Sequence, residues 1–285
     1  TAASSISRRE NTMSGITFGC QTYPWKMNKE KYAGEVPHIL EITKKAGFSG
    51  LEAEIDMLGP YFDRPEEVKA LLEENHLRLS ALVLHQSWKY DKETEEEKEF
   101  SDKAIHFLTF FPFAKLMLSH HAIPGDRTEG EDLKKRRENL FSCMASVADR
   151  AGEQGIVAAF HPNSSKNSLF RTEEDYRVMF DLLAKTYIGW IPDVGHIVNG
   201  GMDVMQELKD HRSMIRHVHF KDRIAENQWA VMGEGSIDYP AIVKYLKDTG
   251  YSGWIMVEDE SPACVADSDG VVMKDGQYMK QFMEA

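Results

Sequence analysis

The sequence predicts an α/β fold, a single (β/α)8 barrel (a TIM barrel), on three observations. The chain has 285 residues, and one such barrel takes roughly 250. Short apolar or β-branched runs alternate with charged segments of helical periodicity, never two strands in a row, which implies parallel pairing through right-handed crossovers. Eight such runs occur, the count that closes a barrel. The rival, an open doubly wound sheet, lacks its usual signature, because no Gly-x-Gly-x-x-Gly follows the first run.

In chain order the strand runs are Ile16–Cys20, Gly50–Glu54, Leu77–His85, Phe113–Leu118, Ile156–His161, Ile188–Asp193, Ile215–Lys221 and Gly253–Glu258. The amphipathic segments between them are Asn28–Ala46, Pro65–Glu74, Glu93–Leu108, Glu129–Gly152, Thr172–Lys185, Met202–Asp210 and Tyr239–Gly250. Ala46-Gly47, Ala151-Gly152 and Thr249-Gly250 place glycine where a helix would stop. Residues 1–13 are polar and unpatterned and read as a flexible tail. Ser7-Arg8-Arg9 has the look of a twin-arginine signal but no apolar stretch follows it. With no low-complexity linker, residues 14–285 read as one catalytic domain.

Composition narrows the function. The chain is 42% hydrophobic and 28% charged, as a globular protein should be. No apolar run reaches the ~18 residues of a membrane span. A formal net charge of −12 disfavours nucleic acid, whose phosphates need basic groups. Three scattered cysteines, Cys20, Cys143 and Cys264, form neither a disulfide framework nor a Cys-x-x-Cys zinc pattern, so a reducing, cytoplasmic setting is expected.

Chemistry in such a barrel sits where strands run out into the following loops. Strand five ends in His161-Pro162-Asn163 and strand six in Asp193-Val194-Gly195-His196. Strand seven carries His217, His219 and Lys221 on one face, and strand eight Glu258 and Glu260, because residues two apart share a face. One such residue alone would more often be a packed histidine or a solvated carboxylate. Ligand-type side chains at four successive strand ends point instead to a mixed N/O site for one divalent ion: Mn²⁺, Co²⁺, Zn²⁺ or Fe²⁺.

Three stretches carry a resemblance: Asp193-Val194-Gly195-His196, His217-Val218-His219-Phe220-Lys221-Asp222, and Gly250-Tyr251-Ser252-Gly253-Trp254 leading into Val257-Glu258-Asp259-Glu260. With Gly233-Glu234-Gly235-Ser236-Ile237-Asp238-Tyr239, they are similar to the xylose isomerase-like family of sugar isomerases, epimerases and inosose dehydratases, and closest to inosose dehydratase. The resemblance covers about residues 155–262. It implies metal ligands His161, Asp193, His219 and Glu258, with histidine where the epimerases carry glutamate; Pro162-Asn163 replaces the histidine-rich run of the dehydratase branch.

The family's shared chemistry is proton movement at carbon next to a carbonyl, through an enediolate. Losing one of two opposed glutamates favours elimination over symmetrical epimerisation. A metal-dependent lyase on a keto-cyclitol, keto-sugar or 3-keto-glycoside is therefore expected, ahead of a ketose isomerase or epimerase. An endonuclease IV-like enzyme or a scaffold that has lost catalysis is further behind. Glu258, Glu260 and His196 are the acid/base candidates. Glu52 or its neighbour Glu54, with His85, His121, Asn163, His217, Lys221 and Trp25, are candidates for binding a small polyol substrate. Trp88 and Trp229 are further mouth-loop aromatics. Homo-oligomers are common among such barrels.

Overall fold

The computed structural model describes residues 15–284; the expected tail, residues 1–13, lies outside them. Eight parallel strands form the barrel wall: β1 (Ile16–Gln21), β2 (Gly50–Glu54), β3 (Arg78–Gln86), β4 (Lys115–His120), β5 (Ala158–Phe160), β6 (Gly189–Trp190), β7 (Val218–Phe220) and, after a hairpin, β10 (Gly253–Val257). They are ordered β6-β5-β4-β3-β2-β1-β10-β7. Parallel bridges Trp190–Ile215 and Asp193–His219 join the two ends. There Arg216 N donates to Trp190 O at 3.0 Å and His219 N to Pro192 O at 2.9 Å.

Eight main helices accompany the strands: α1 (Val36–Lys45), α2 (Pro65–Glu74), α3 (Glu95–Leu108), α4 (Gly130–Glu153), α5 (Glu173–Leu183), α6 (Val204–Asp210), α7 (Tyr239–Asp248) and α8 (Ser268–Met283). Each buries an apolar face and exposes a charged one. In α4, Leu140, Phe141, Met144, Val147 and Ala151 are buried, at the i, i+3, i+4, i+7 spacing that a helix on a barrel requires.

The structure departs from the sequence reading at five places. The expected helix Asn28–Ala46 is broken: Lys29–Tyr32 forms one turn, Gly34 takes φ +82°, and Pro37 opens α1. The stop near Gly152 falls later, with α4 running to Glu153 and Gly155 at positive φ. Strands β5, β6 and β7 are shorter than their apolar runs, because their polar ends leave the ladder to build the site; Pro192, which has no N–H, accepts but cannot donate. Two antiparallel strands, β8 (Asp222–Ala225) and β9 (Gln228–Ala230), follow β7, so strands do occur in a row. Helix α8 was missed because Gly270 and Gly276 blur its pattern. At Gly276 a Cβ would lie 2.1 Å from Ala46 O, so glycine lets α8 dock against the end of α1.

Among the described residues no helix is long and apolar enough to cross a membrane. Part of the barrel interior is an apolar cluster of Ala81, Val83, Met117, Ala159 and Ile191. Beside it runs a buried ionic stack.

Candidate active site

That stack rises along β7. His217, His219 and Lys221 point inward from alternate positions, so each is ~6.6 Å further along the strand than the last. All three are buried. At the bottom, Glu52 of β2 bridges two imidazoles: His217 Nε2 lies 2.7 Å from Oε2 and His219 Nε2 lies 2.8 Å from Oε1. Burial alone would push the Glu52 carboxyl up, but the charge of His219 and the hydrogen bond from His217 outweigh it, giving a pKa of about 2. His217 goes the other way, lowered by burial to about 4 against the pull of Glu52.

The middle layer gathers the four residues expected to hold a metal, the candidate ligand set. His219 Nδ1 lies 2.7 Å from Glu258 Oε2 and 3.7 Å from Asp193 Oδ2. His161 Nε2 lies 3.1 Å from Asp193 Oδ2 and 3.9 Å from Glu258 Oε2. The four ligand atoms lie within 4.8 Å of one another on four buried residues. Local structure aims each one. Asp193 caps the short helix Val194–Asn199, its Oδ1 accepting from His196 N at 2.9 Å, which leaves Oδ2 facing the histidines. Gly195 is required beside it, since a Cβ there would meet Lys221 O at 2.5 Å.

Two imidazoles and two carboxylates, without thiolate, fit a divalent ion of the Mn, Co, Zn or Fe kind. Burial opposes charge on His219, yet Glu52 and the hydrogen bonds to Asp193 and Glu258 raise its pKa well above the usual value. Three carboxylates converging on one imidazole is the charge excess that a cation would relieve. Glu52, His217 and His219 form a second group of similar compactness. Its close hydrogen bonds and shared His219 make it a support for the first.

The upper layer is Lys221. Its Nζ lies 3.1 Å from Glu260 Oε2, 3.5 Å from Glu258 Oε1, 3.7 Å from Asp193 Oδ2 and 3.2 Å from His196 Nε2. An ammonium only donates, so His196 Nε2 is an acceptor and its Nδ1–H donates to Ser164 Oγ at 2.7 Å. Burial first, then the Lys221 charge, holds His196 neutral with a pKa of about 3. The Glu260 carboxyl is raised to about 7 by burial and by Glu258, against the opposing Lys221 charge.

Above these layers opens a cavity of about 600 Å³. One side presents His161, Asn163, Ser164, Ser165, His196, Glu258 and Glu260; the hairpin adds Asn227 and Trp229. The Trp229 ring stands edge-on to His196 at 5.1 Å, with Lys221 Nζ 5.2 Å from its centroid. The Gly233–Tyr239 stretch holds the base of that hairpin. Gly233 N and Gly235 N donate to Asp222 Oδ2 at 2.9 and 3.0 Å, and Tyr239 Oη donates to Lys221 O.

Of the residues expected to bind substrate, His85, His121 and Asn163 line the cavity. Four residue placements are corrected. Glu52 and His217 are fully enclosed, one layer beneath the ligands, and hold His219. Trp25 is also fully enclosed and donates from Nε1 to Asp269 Oδ1 at 2.7 Å, tying the β1 exit to α8. Lys221 does not itself line the cavity; its Nζ contacts Glu258, Glu260 and His196, which do. Trp88 is buried. Sequence reasoning left Glu54 behind Glu52, yet Glu54 lines the cavity. It also missed Lys26, whose Nζ lies 3.2 Å from Glu54 Oε2. The signal was the two-residue step along β2.

The family profile described as xylose isomerase-like TIM barrel matches residues 40–282. The chain belongs to the xylose isomerase-like TIM-barrel family. Within it, an inosose dehydratase of Clostridium perfringens is 24% identical over 266 residues, covering 83% of this chain and 86% of that protein. An IolI protein crystallised with a bound zinc atom superposes with a TM-score of 0.74 at 14% identity, covering 93% of this chain and 97% of that one. The 3-keto-D-glucoside 4-epimerase YcjR of E. coli gives 0.67 at 19% identity, over 90% and 98%. The likeness to inosose dehydratase read from the strand ends is thus borne out, and the chain is an enzyme.

Proposed function

We propose that this enzyme is a divalent-metal-dependent lyase that eliminates a β-oxygen from a keto-cyclitol or keto-sugar, in the manner of a dehydratase. The observation that carries the reading is the placement of carboxylates around the ligand set. Among the described residues four carboxylates line the cavity: Glu258 and Glu260, two residues apart at the end of β10 beside the candidate ligands, and Glu54 and Asp56 on the facing side, where Glu54 is paired with Lys26 and His85. His161 stands where the resemblance places the second glutamate of the epimerases. Epimerisation needs bases on both faces of one carbon; elimination can run with one group on one face.

His161, Asp193, His219 and Glu258 would hold the ion, which when bound supplies electrophilic stabilisation to a developing oxyanion. Glu260 takes the proton from the carbon beside the carbonyl. The released electron pair moves into the carbonyl to give the enediolate, then returns to expel the β-oxygen. That oxygen leaves with the proton Glu260 carried, so the net change is loss of water or an alcohol. Lys221 keeps Glu258 and Glu260 in place. His196, with both ring nitrogens engaged, orients Lys221, and Glu260 is favoured over it for proton transfer. Asn163 and Ser164 offer hydrogen bonds to substrate hydroxyls.

The relative named inosose dehydratase supports the reaction class, and the zinc-bound IolI neighbour supports the metal. The epimerase neighbour supports a second reading, ketose isomerase or epimerase. Incubation with a keto-inositol decides between them. An unsaturated, ultraviolet-absorbing product lighter by one water is expected; a stereoisomer of unchanged mass would refute elimination. Glu260→Gln should lower kcat by roughly 10²–10⁴-fold, the range for a lost acid/base group.

A further inference from the structure

The cavity is larger than one sugar ring. At ~30 Å³ per water-sized group, about 600 Å³ takes some twenty such groups, against about a dozen non-hydrogen atoms in a keto-hexose or inosose. The ligand set and Glu260 occupy one side. The facing side, from β2, β3 and α3, is built differently. Ile55, just past β2, and Phe100 on α3 supply apolar surface, with Phe100 36% exposed and its ring edge-on to Phe62 at 5.8 Å. Around them lie Lys26, Asp56 and His85, whose side chains stay 25%, 35% and 32% exposed. Glu54 ties these groups together, its Oε2 lying 3.2 Å from Lys26 Nζ and 2.9 Å from His85 Nε2.

An aromatic face beside carboxylate, ammonium and imidazole suits a hydroxylated ring. The ring's C–H face covers the phenyl group, and its hydroxyls meet donors and acceptors together. Lys29 also pairs with Asp56, its Nζ 2.8 Å from Oδ2, so Glu54 and Asp56 engage Lys26, Lys29 and His85 and no cation of the group is left unpaired for a phosphate.

We propose that this facing half is a subsite for a second sugar ring, so that the substrate is a keto-sugar carried as a glycoside. This rests on the lyase reading and specifies its leaving group: the β-oxygen expelled is the glycosidic one, and the departing ring leaves with its hydroxyl restored.

The test separates the subsite from the reaction by using sugars without a keto group, which bind but do not eliminate. Titration calorimetry on the metal-loaded enzyme compares glucose with cellobiose, lactose, maltose and trehalose. At least one disaccharide is expected to bind tenfold or more tighter than glucose, with that preference falling to near unity in Phe100→Ala and reduced in Asp56→Asn. Equal affinity for glucose and all four disaccharides, or no detectable binding of any disaccharide, overturns the subsite. A preference untouched by both substitutions overturns its location. Elimination of water from a keto-inositol by an enzyme without disaccharide preference would leave the reaction standing and remove only the second ring.

Discussion

Glu52 and Glu54 differ by one step along β2 and do opposite things. Both point into the barrel, as alternation requires, but the ~6.6 Å between them separates the sealed interior from the cavity. The same step divides His217 from His219, and Glu258 from Glu260. The sequence therefore showed which face a residue takes and not how deep it sits. That is why the four candidate ligands, which the structure brings together, could be named from their motifs while Glu52 and His217 were misplaced. Depth also gives Glu52 a role. Accepting from His219 Nε2, it leaves Nδ1 to face the other ligands and sets which nitrogen is offered to a metal. Glu52→Gln should weaken metal binding by roughly 10–100-fold, as for other carboxylates behind a ligating histidine. Titrating Co²⁺ into metal-stripped protein and following its visible absorption measures this; unaltered affinity would reduce Glu52 to a packing role.

Elements with a clear local pattern were read to within a residue or two, as at β2, which is buried throughout, and at α2, which has a solvent face. Elements whose order comes from tertiary contacts were not. The β8–β9 hairpin is held at its base by Asp222 accepting from two glycine amides, and α8 by its fit against α1. The start of α5 shows how such contacts carry stability. Thr172 and Asp175 form a capping box, and the Asp175 carboxylate also takes the guanidinium groups of Arg127 and Arg137. Burial would raise its pKa, but these bonds lower it to about 2. A depressed carboxylate contributes stability that is complete above the unfolded value near 3.9 and is lost as the pH falls toward 2. Asp175→Asn should cost about 3 kcal/mol, as for breaking a buried ion pair from one side, and should flatten the dependence of Tm on pH between about 4 and 2. A variant with the wild-type acid limb would show that other carboxylates govern it.

At the scale of the whole molecule, the barrel gathers side chains from positions 52 to 260 into one column and leaves like charges facing one another across it. Alternation of strand and helix made the architecture legible; the column was not, because it depends on how registers stagger around the wall. A cation in the ligand set would tie β5, β6, β7 and β10 together and bind only the folded state. At a hundredfold excess over Kd it adds about 2.7 kcal/mol. Tm should therefore rise with added Mn²⁺, Co²⁺ or Zn²⁺ and fall with chelator, whereas a Tm indifferent to both would mean that the column is balanced by protons alone.

The most direct test is elemental analysis of the purified protein beside its His219→Ala and Glu258→Ala variants, with circular dichroism to confirm that each is folded. About one equivalent of a transition ion is expected in the wild type, as for a single four-ligand site, and little in either folded variant. Wild-type protein that holds no ion after reconstitution, or variants that keep the full equivalent, would contradict the four-ligand assignment.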